Sequence, residues 1–175
     1  MSDPRLFVAV WPSPEVVELI AALSRPTLIG LRWTRQDQWH VTLRFLGAVA
    51  DPPAVVEALA SVAAAQSPVE VSVGPAVGRF GHRVLHVPVE GLADLASAVT
   101  AATAHVGKPP EDRPFSGHLT LARVGKEARV NLRAFEGETI SARWPVSELT
   151  LVESKLSPVG ARYQIVERFP LTSEG

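Results

Sequence analysis

The sequence contains two kinds of apolar segment, a short continuous run and a longer segment with helical spacing, and each kind occurs twice. The segments 6–10 (LFVAV) and 84–88 (VLHVP) are short apolar runs, typical of buried strands. A helical spacing of apolar residues follows each run, over 14–24 and over 92–106, and Gly107 ends the second of these helices. Each half of the chain therefore predicts a strand followed by a helix.

The remaining elements are predicted from start signals and from alternation. Asp51 and Pro52 begin a third helix over 52–65, as Ser13 and Pro14 begin the first, because these residue types favour the N-cap and the first helical position. Further strands are predicted over 69–74, 76–80, 138–144, 147–156 and 161–170. Breaks rich in Gly, Pro and Ser lie at 66–68, 107–117 and 157–160. This mixture predicts an α+β fold.

An internal repeat relates the two halves. The segments 39–47 (WHVTLRFLG) and 117–125 (GHLTLARVG) share His, Thr and Leu, and their histidines are 118 − 40 = 78 residues apart. The same offset carries 6–10 onto 84–88. We therefore expect residues 1–175 to form one bilobal domain, with two antiparallel-rich sheets related by a pseudo-twofold axis, helices outside and a central cleft.

The repeated motif carries groups suited to proton transfer. Residues i and i+2 of a strand share a face, so His40 lies with Thr42, and His118 with Thr120. The opposite face should point into the core and contains Val41, Leu43, Phe45, Leu119 and Leu121. Two imidazoles can serve as base and acid, and hydroxyl groups can stabilise charge on phosphoryl oxygens. The same alternation places Arg44 beside Thr42, as a further phosphate-binding group.

Composition limits the function classes without choosing among them. The 175 residues are 46% hydrophobic, no apolar run reaches the length of a membrane span, and the first residues do not resemble a signal peptide. There is no cysteine, so disulfides and thiolate metal sites are excluded, and we expect a cytoplasmic protein without a membrane partner. A net charge of −1 favours recognition of an RNA end over binding along a duplex.

With these motifs the chain resembles the 2H phosphoesterase superfamily, and within it the bacterial and archaeal RNA 2′,3′-cyclic phosphodiesterases, also called 2′-5′ RNA ligases. The resemblance extends over nearly the whole chain. It includes the opening RLFVAVWPSPEV, the motifs HVTLRFLG and RPFSGHLTLARV, and the closing ESKLSPVGARY. One departure lies just before the second histidine: the family often has a basic residue or proline there, and this chain has Ser116 and Gly117.

The resemblance implies a two-lobed enzyme that converts an RNA 2′,3′-cyclic phosphate into a 2′-phosphate without a metal or cofactor. It implies His118 as the base that activates water and His40 as the acid on the leaving 3′ oxygen. Thr42 and Thr120 would contact the phosphate, and Arg123 is a further candidate. The partners would be oligonucleotides with cyclic phosphate ends, tRNA fragments among them, and the protein would act as a monomer.

Several residues keep two interpretations. Strict alternation places Arg123 on the face opposite His118, so either a bulge or the strand end re-aims it, or it forms an ion pair at the core edge. Phe115 is a candidate for stacking on a base, although packing in the core is the favoured interpretation. His86 aligns with Val8 at the repeat offset, which predicts a packed strand residue. His82 and His105 need no role beyond solvation and a helix end.

Three alternatives to hydrolysis remain. The same two histidines permit ligation, in which a 5′-hydroxyl replaces water. A nucleotide-binding module without turnover would use the same site, but a pure binder has no need of two acid/base groups. An interaction domain would explain the core, although not the repeated polar pairs, because these are costly to bury without partners.

Overall fold

The computed structural model describes residues 2–174, which contain ten strands and three α-helices. The helices are α1 (Pro14–Ala21), α2 (Pro52–Ala65) and α3 (Ala93–Ala102). The strands are β1 (Arg5–Val10), β2 (Leu31–Trp33), β3 (Val41–Ala48), β4 (Val69–Val73), β5 (Gly78–Phe80), β6 (Val84–Glu90), β7 (His118–Val124), β8 (Ala142–Val146), β9 (Glu148–Ser157) and β10 (Gly160–Pro170). No helix in this part of the chain has the length and apolar character needed to cross a bilayer.

The α+β prediction is confirmed, and the helix start signals act as expected. The Ser13 side chain accepts a hydrogen bond from the main-chain N–H of Val16, and Asp51 does the same for Ala54. The bounds of α2 are those predicted, whereas α1 and α3 end earlier than expected. Helix α3 is followed by the C-cap residue Thr103, whose buried hydroxyl donates to the carbonyl of Val99 (2.7 Å).

The strands form one antiparallel path rather than the two separate sheets predicted. Its order is β10-β9-β1-β3-β7-β6-β4-β8, with β2 attached to β7 and β5 attached to β6. The halves are joined where Val41 of β3 pairs with Leu119 of β7. This ladder is short because β2, which was not predicted, occupies the same edge of β7 from Ala122 to Val124.

A β-bulge in β3 changes which side chains are buried. Val8 pairs with Arg44 and Ala9 pairs with Thr42, so Leu43 is an extra residue on the β3 side. Leu43 and Arg44 are consequently both buried, and Phe45 is 39% exposed. The prediction that Phe45 lies in the core is therefore wrong, because the alternation on which it depends is interrupted at Leu43.

The bulge directs Arg44 into the protein rather than toward a phosphate. Its guanidinium donates to the carbonyl oxygens of Thr103 (3.0 Å), Val106 (3.2 Å) and Lys108 (2.9 Å), and its Nε–H donates to the Thr103 hydroxyl (3.0 Å). These carbonyls lie at and beyond the end of α3, where a helix leaves acceptors without partners. Arg44 is thus a structural residue, and its predicted phosphate-binding role is withdrawn.

Replacement of Arg44 by leucine should lower the free energy of unfolding by about 2–4 kcal/mol, because several buried acceptors lose their partner at once. Urea denaturation followed by circular dichroism measures this change. Arg168→Leu is a matched control, since Arg168 forms an exposed pair with Glu148 and should cost less than about 1 kcal/mol. Equal stability of the two variants would contradict the role assigned to Arg44.

Candidate active site

The pairing of β3 with β7 places the two motifs side by side. Because Val41 is opposite Leu119 in an antiparallel pair, the next residues outward bring His40 opposite Thr120 and Thr42 opposite His118. Val41 and Leu119 themselves point into the core. Two imidazoles and two hydroxyl groups therefore lie on the face of the sheet that is opposite the main core.

A short segment before β3 holds His40 in this position. The indole N–H of the buried Trp39 donates to the Thr34 hydroxyl (3.0 Å). The Thr34 hydroxyl lies 2.9 Å from the carbonyl oxygens of Thr120 and Leu121, to which it donates, and its main-chain N–H also donates to Leu121 (2.8 Å). The chain leading to the first histidine is thus fastened directly to the strand that bears the second.

Both imidazoles are oriented by the main chain two residues upstream. His40 Nδ1 lies 2.7 Å from the carbonyl of Gln38, and His118 Nδ1 lies 2.9 Å from the carbonyl of Ser116. A carbonyl only accepts, so each Nδ1 carries a hydrogen and donates it to the main chain. In His40 the Nε2 accepts from the Thr42 hydroxyl at 2.9 Å. The ring nitrogen that is not bonded to the main chain is therefore Nε2 in both residues.

An aromatic cage surrounds His40. The ring centroids of Phe7, Trp11 and Tyr163 lie 5.0, 5.3 and 5.2 Å from that of His40. The Trp11 indole is itself fixed by a hydrogen bond to the Thr150 hydroxyl (2.9 Å). Burial lowers the pKa of His40 to about 4; the hydrogen bond to the Gln38 carbonyl opposes this decrease, and the charges of His118 and Arg123 add to it by smaller amounts. His40 is consequently neutral near pH 7 in the free protein.

A second bulge, in β7, brings Arg123 onto this face. Leu85 pairs with Ala122 and His86 pairs with Thr120, so Leu121 is the extra residue of β7. Leu121 and Ala122 are both buried, and Arg123 is exposed on the side of His40, whose pKa it helps to lower. Of the interpretations open for Arg123, the bulge is the one observed.

His86 is a buried residue of β6, as predicted, but the same register places it on the other face of the strand from the one that the repeat offset implied. The repeat offset of 78 aligned it with Val8, which points into the core. Strand pairing instead makes Ala9 the counterpart of His86, since Ala9 pairs with Thr42 as His86 pairs with Thr120. A shift of one residue reverses the face of a strand side chain. His86 therefore lies beside His118, with ring centroids 5.6 Å apart.

Phe115 does not lie against either motif histidine. Its ring packs on the core, 3.4 Å from where a Cβ of Gly117 would be. A side chain at position 117 would also collide with the carbonyl oxygen of Val89, whose N–H donates to Gly117 (2.9 Å). Close packing of the chain before β7 thus accounts for the small residue there, and Phe115 packs on the core, which was the favoured interpretation.

Sequence reasoning missed the cage, although the chain carries a signal for it. In β1 the core side is formed by Leu6, Val8 and Val10, yet the alternate positions Phe7 and Ala9 are also apolar and buried. A strand that is apolar on both faces is covered on both. On this second face Phe7 and Ala9 form a small apolar cluster with Val152, Tyr163 and Ile165 of the neighbouring strands.

No group of three His, Cys, Asp or Glu side chains within residues 2–174 is placed to hold a metal ion. The titratable groups that meet at the site are the three imidazoles and the Tyr163 phenol. Burial raises the pKa of Tyr163, and the guanidinium groups of Arg123 and Arg35 oppose that rise. Tyr163 therefore keeps its hydroxyl hydrogen and is available as a donor.

Two bacterial proteins of known structure share this architecture. The chain superposes on the crystal structure of TT0787 of Thermus thermophilus with a TM-score of 0.83 and 28% identity, covering 98% of this chain and all of that one. For the crystal structure of Escherichia coli LigT complexed with 3′-AMP, the TM-score is 0.74 at 27% identity, covering 97% and 99%.

Sequence comparisons agree with the structural ones. Proteins named RNA 2′,3′-cyclic phosphodiesterase are 29% identical in Geobacillus stearothermophilus and in Escherichia coli, each over 98% of this chain. The chain spans 58% of the Geobacillus protein and 99% of the Escherichia one. The model of the 2′-5′ RNA ligase superfamily matches residues 10–157, which include both histidine motifs. With its strand order, its paired motifs and this match, the chain belongs to the 2′-5′ RNA ligase superfamily.

Proposed function

We propose that this protein hydrolyses RNA 2′,3′-cyclic phosphate ends to 2′-phosphates by two-histidine acid/base catalysis, without a metal ion. The observation that carries the proposal is the crossed arrangement of His40, Thr42, His118 and Thr120 around the Val41–Leu119 pair. The relatives named RNA 2′,3′-cyclic phosphodiesterase support the choice of substrate. The phosphate would lie in a cleft between the two repeats, with one imidazole on each side of phosphorus.

In the proposed reaction His118 Nε2 takes a proton from water as the water oxygen bonds to phosphorus. The bond from phosphorus to the 3′ oxygen breaks, and His40 Nε2–H protonates that oxygen, which leaves a 3′-hydroxyl and a 2′-phosphate. The Thr42 and Thr120 hydroxyls donate to the non-bridging oxygens, and Arg123 offsets their negative charge. The phosphate anion also stabilises the protonated form of His40, which burial disfavours in the free protein.

Replacement of either histidine by alanine should lower kcat by about 10²–10⁴-fold, because each removes one proton transfer. The assay uses a short RNA ending in a 2′,3′-cyclic phosphate, with EDTA present, and separates 2′- from 3′-phosphate products. EDTA should leave the wild-type rate unchanged, since both proton transfers belong to side chains. His105→Ala, remote from both motifs in sequence, serves as the control variant.

Each outcome of this assay has a distinct meaning. Full activity of both histidine variants would refute the mechanism. A 2′-5′ linkage formed with a 5′-hydroxyl RNA, in place of hydrolysis, would assign ligation to the same site. Binding of the RNA end without any product would make the protein a nucleotide-binding module.

The order of acid and base can be tested with a substrate whose 3′ bridging oxygen is replaced by sulfur. A thiolate leaves without protonation, so this substrate should restore His40→Ala to within about tenfold of the wild-type rate. His118→Ala should stay impaired, because water still needs a base. The reverse pattern would exchange the two roles.

The pH dependence of kcat/KM should show an acidic limb near pH 4, set by His40 in the free protein. The mechanism needs one neutral and one protonated imidazole. Activity is therefore lost when falling pH protonates both His40 and His118, whichever of them is the base. Tyr163→Ala admits water to His40, raises its pKa and should move the limb upward by about one pH unit. Tyr163→Phe keeps the ring and should leave the limb in place. NMR titration of the His40 ring protons measures the same shift in pKa. If the acidic limb does not move in Tyr163→Ala, the aromatic cage does not set the pKa of His40.

A further inference from the structure

An exposed phenylalanine borders His118 on the side away from His40. Phe80 ends β5 and is 40% exposed, unlike most large apolar side chains of the protein. Its ring meets that of His118 edge to face, with centroids 4.8 Å apart and an angle of 85°. One face of the Phe80 ring is covered by His86, and the other contributes to its exposure.

His86 packs against one face of the Phe80 ring. The two rings stack at 3.9 Å with an angle of 22° between their planes. His86 is only 7% exposed, and its Nδ1 is buried with no hydrogen-bond partner among residues 2–174. A buried polar atom without a partner costs stability, so packing alone would favour an apolar side chain at this position. The planar imidazole provides a flat surface for Phe80, which an aliphatic side chain would not.

The backbone around the stack is adapted to it. Gly78 lies opposite His86, and a Cβ at position 78 would approach the imidazole to 3.3 Å at Cε1 and 3.5 Å at Nε2. Glycine thus leaves the space that the imidazole occupies. Next to Phe80, Arg79 pairs with Glu136 (3.3 Å) and donates to the carbonyl of Gly81 (2.6 Å), which braces the turn after β5.

We propose that the outer face of Phe80 is the platform on which the base of the terminal nucleoside stacks, and that His86 is the positioning residue that holds this ring. The inference rests on the proposed function, which places the cyclic phosphate at His118. A base lies within one nucleoside's length of that phosphate, and the Phe80 ring centroid is 4.8 Å from that of His118. Stacking tolerates every base and favours the larger purines, so the site should prefer purine-terminated ends.

The experiment compares adenosine 2′,3′-cyclic phosphate with 1-O-methylribose 2′,3′-cyclic phosphate, which lacks a base. The measured quantity is the ratio of kcat/KM for the two substrates, from which any general damage to His118 cancels. Phe80→Ala should lower this ratio by about 10- to 100-fold, mainly through KM for the adenosine substrate. Phe80→Trp should restore it.

Two further variants test the parts of the stack. His86→Leu keeps an apolar side chain without the planar ring, and should lower the ratio in the same direction, whereas His86→Phe should preserve it. Phe45→Ala is the matched control, because Phe45 is equally exposed, at 39%, but lies against Arg5 and Lys108. If the ratio of kcat/KM for the two substrates is unchanged in Phe80→Ala, Phe80 is not the platform for the base.

Binding of adenosine 2′-phosphate, measured by calorimetry, separates this inference from the proposed function. If the wild type hydrolyses neither cyclic phosphate, the proposed function fails. The platform is then judged on Kd alone, which Phe80→Ala should raise about 10- to 100-fold for adenosine 2′-phosphate and leave unchanged for ribose phosphate. Equal affinity of wild type and Phe80→Ala for adenosine 2′-phosphate would overturn it.

Discussion

The pairing of Val41 with Leu119 is the contact on which the site depends. It joins the two halves of the sheet, and its register alone decides that His40 and His118 share a face with both threonines. A slip of one residue would turn these polar side chains into the core and expose the valine and leucine. Burial of Val41 and Leu119 on the opposite face resists such a slip, so the core specifies the geometry of the site.

Equivalent bulges in β3 and β7 place the arginines of the two motifs in different environments. Each bulge falls three residues after its histidine, at Leu43 and at Leu121. The fourth position is thereby buried and the fifth is exposed, in both strands. In the first repeat the arginine occupies the fourth position and binds the end of α3, whereas in the second it occupies the fifth and lies near His40. The same type of bulge thus gives Arg44 a structural role and places the charge of Arg123 near His40.

Patterns among neighbouring residues predicted much of this architecture, whereas the register of strand pairing determined the rest. The caps of α1 and α2 and the shared face of the His and Thr of each motif are read from neighbouring residues, and they agree with the structure. The bulge at Leu43 left no mark in the residue types, so Arg44 and Phe45 were assigned to the wrong faces. A single offset could not hold for both strand pairs either: it is 78 between the motifs and 77 between Ala9 and His86. Long-range register is a property of the assembled sheet.

The surroundings of the two imidazoles, rather than the motifs themselves, make the two rings different. Both rings donate Nδ1–H to a carbonyl two residues upstream, so the repeat alone would make them equivalent. His40 is enclosed by three aromatic rings that lower its pKa, whereas His118 borders the more open stack of Phe80 on His86. An enclosed imidazole gains most from an arriving anion, because the anion replaces the stabilisation that water would give its charged form. In the proposed reaction the phosphate anion therefore raises the pKa of His40 on binding, so the proton needed by the leaving oxygen would become available once the phosphate is in place.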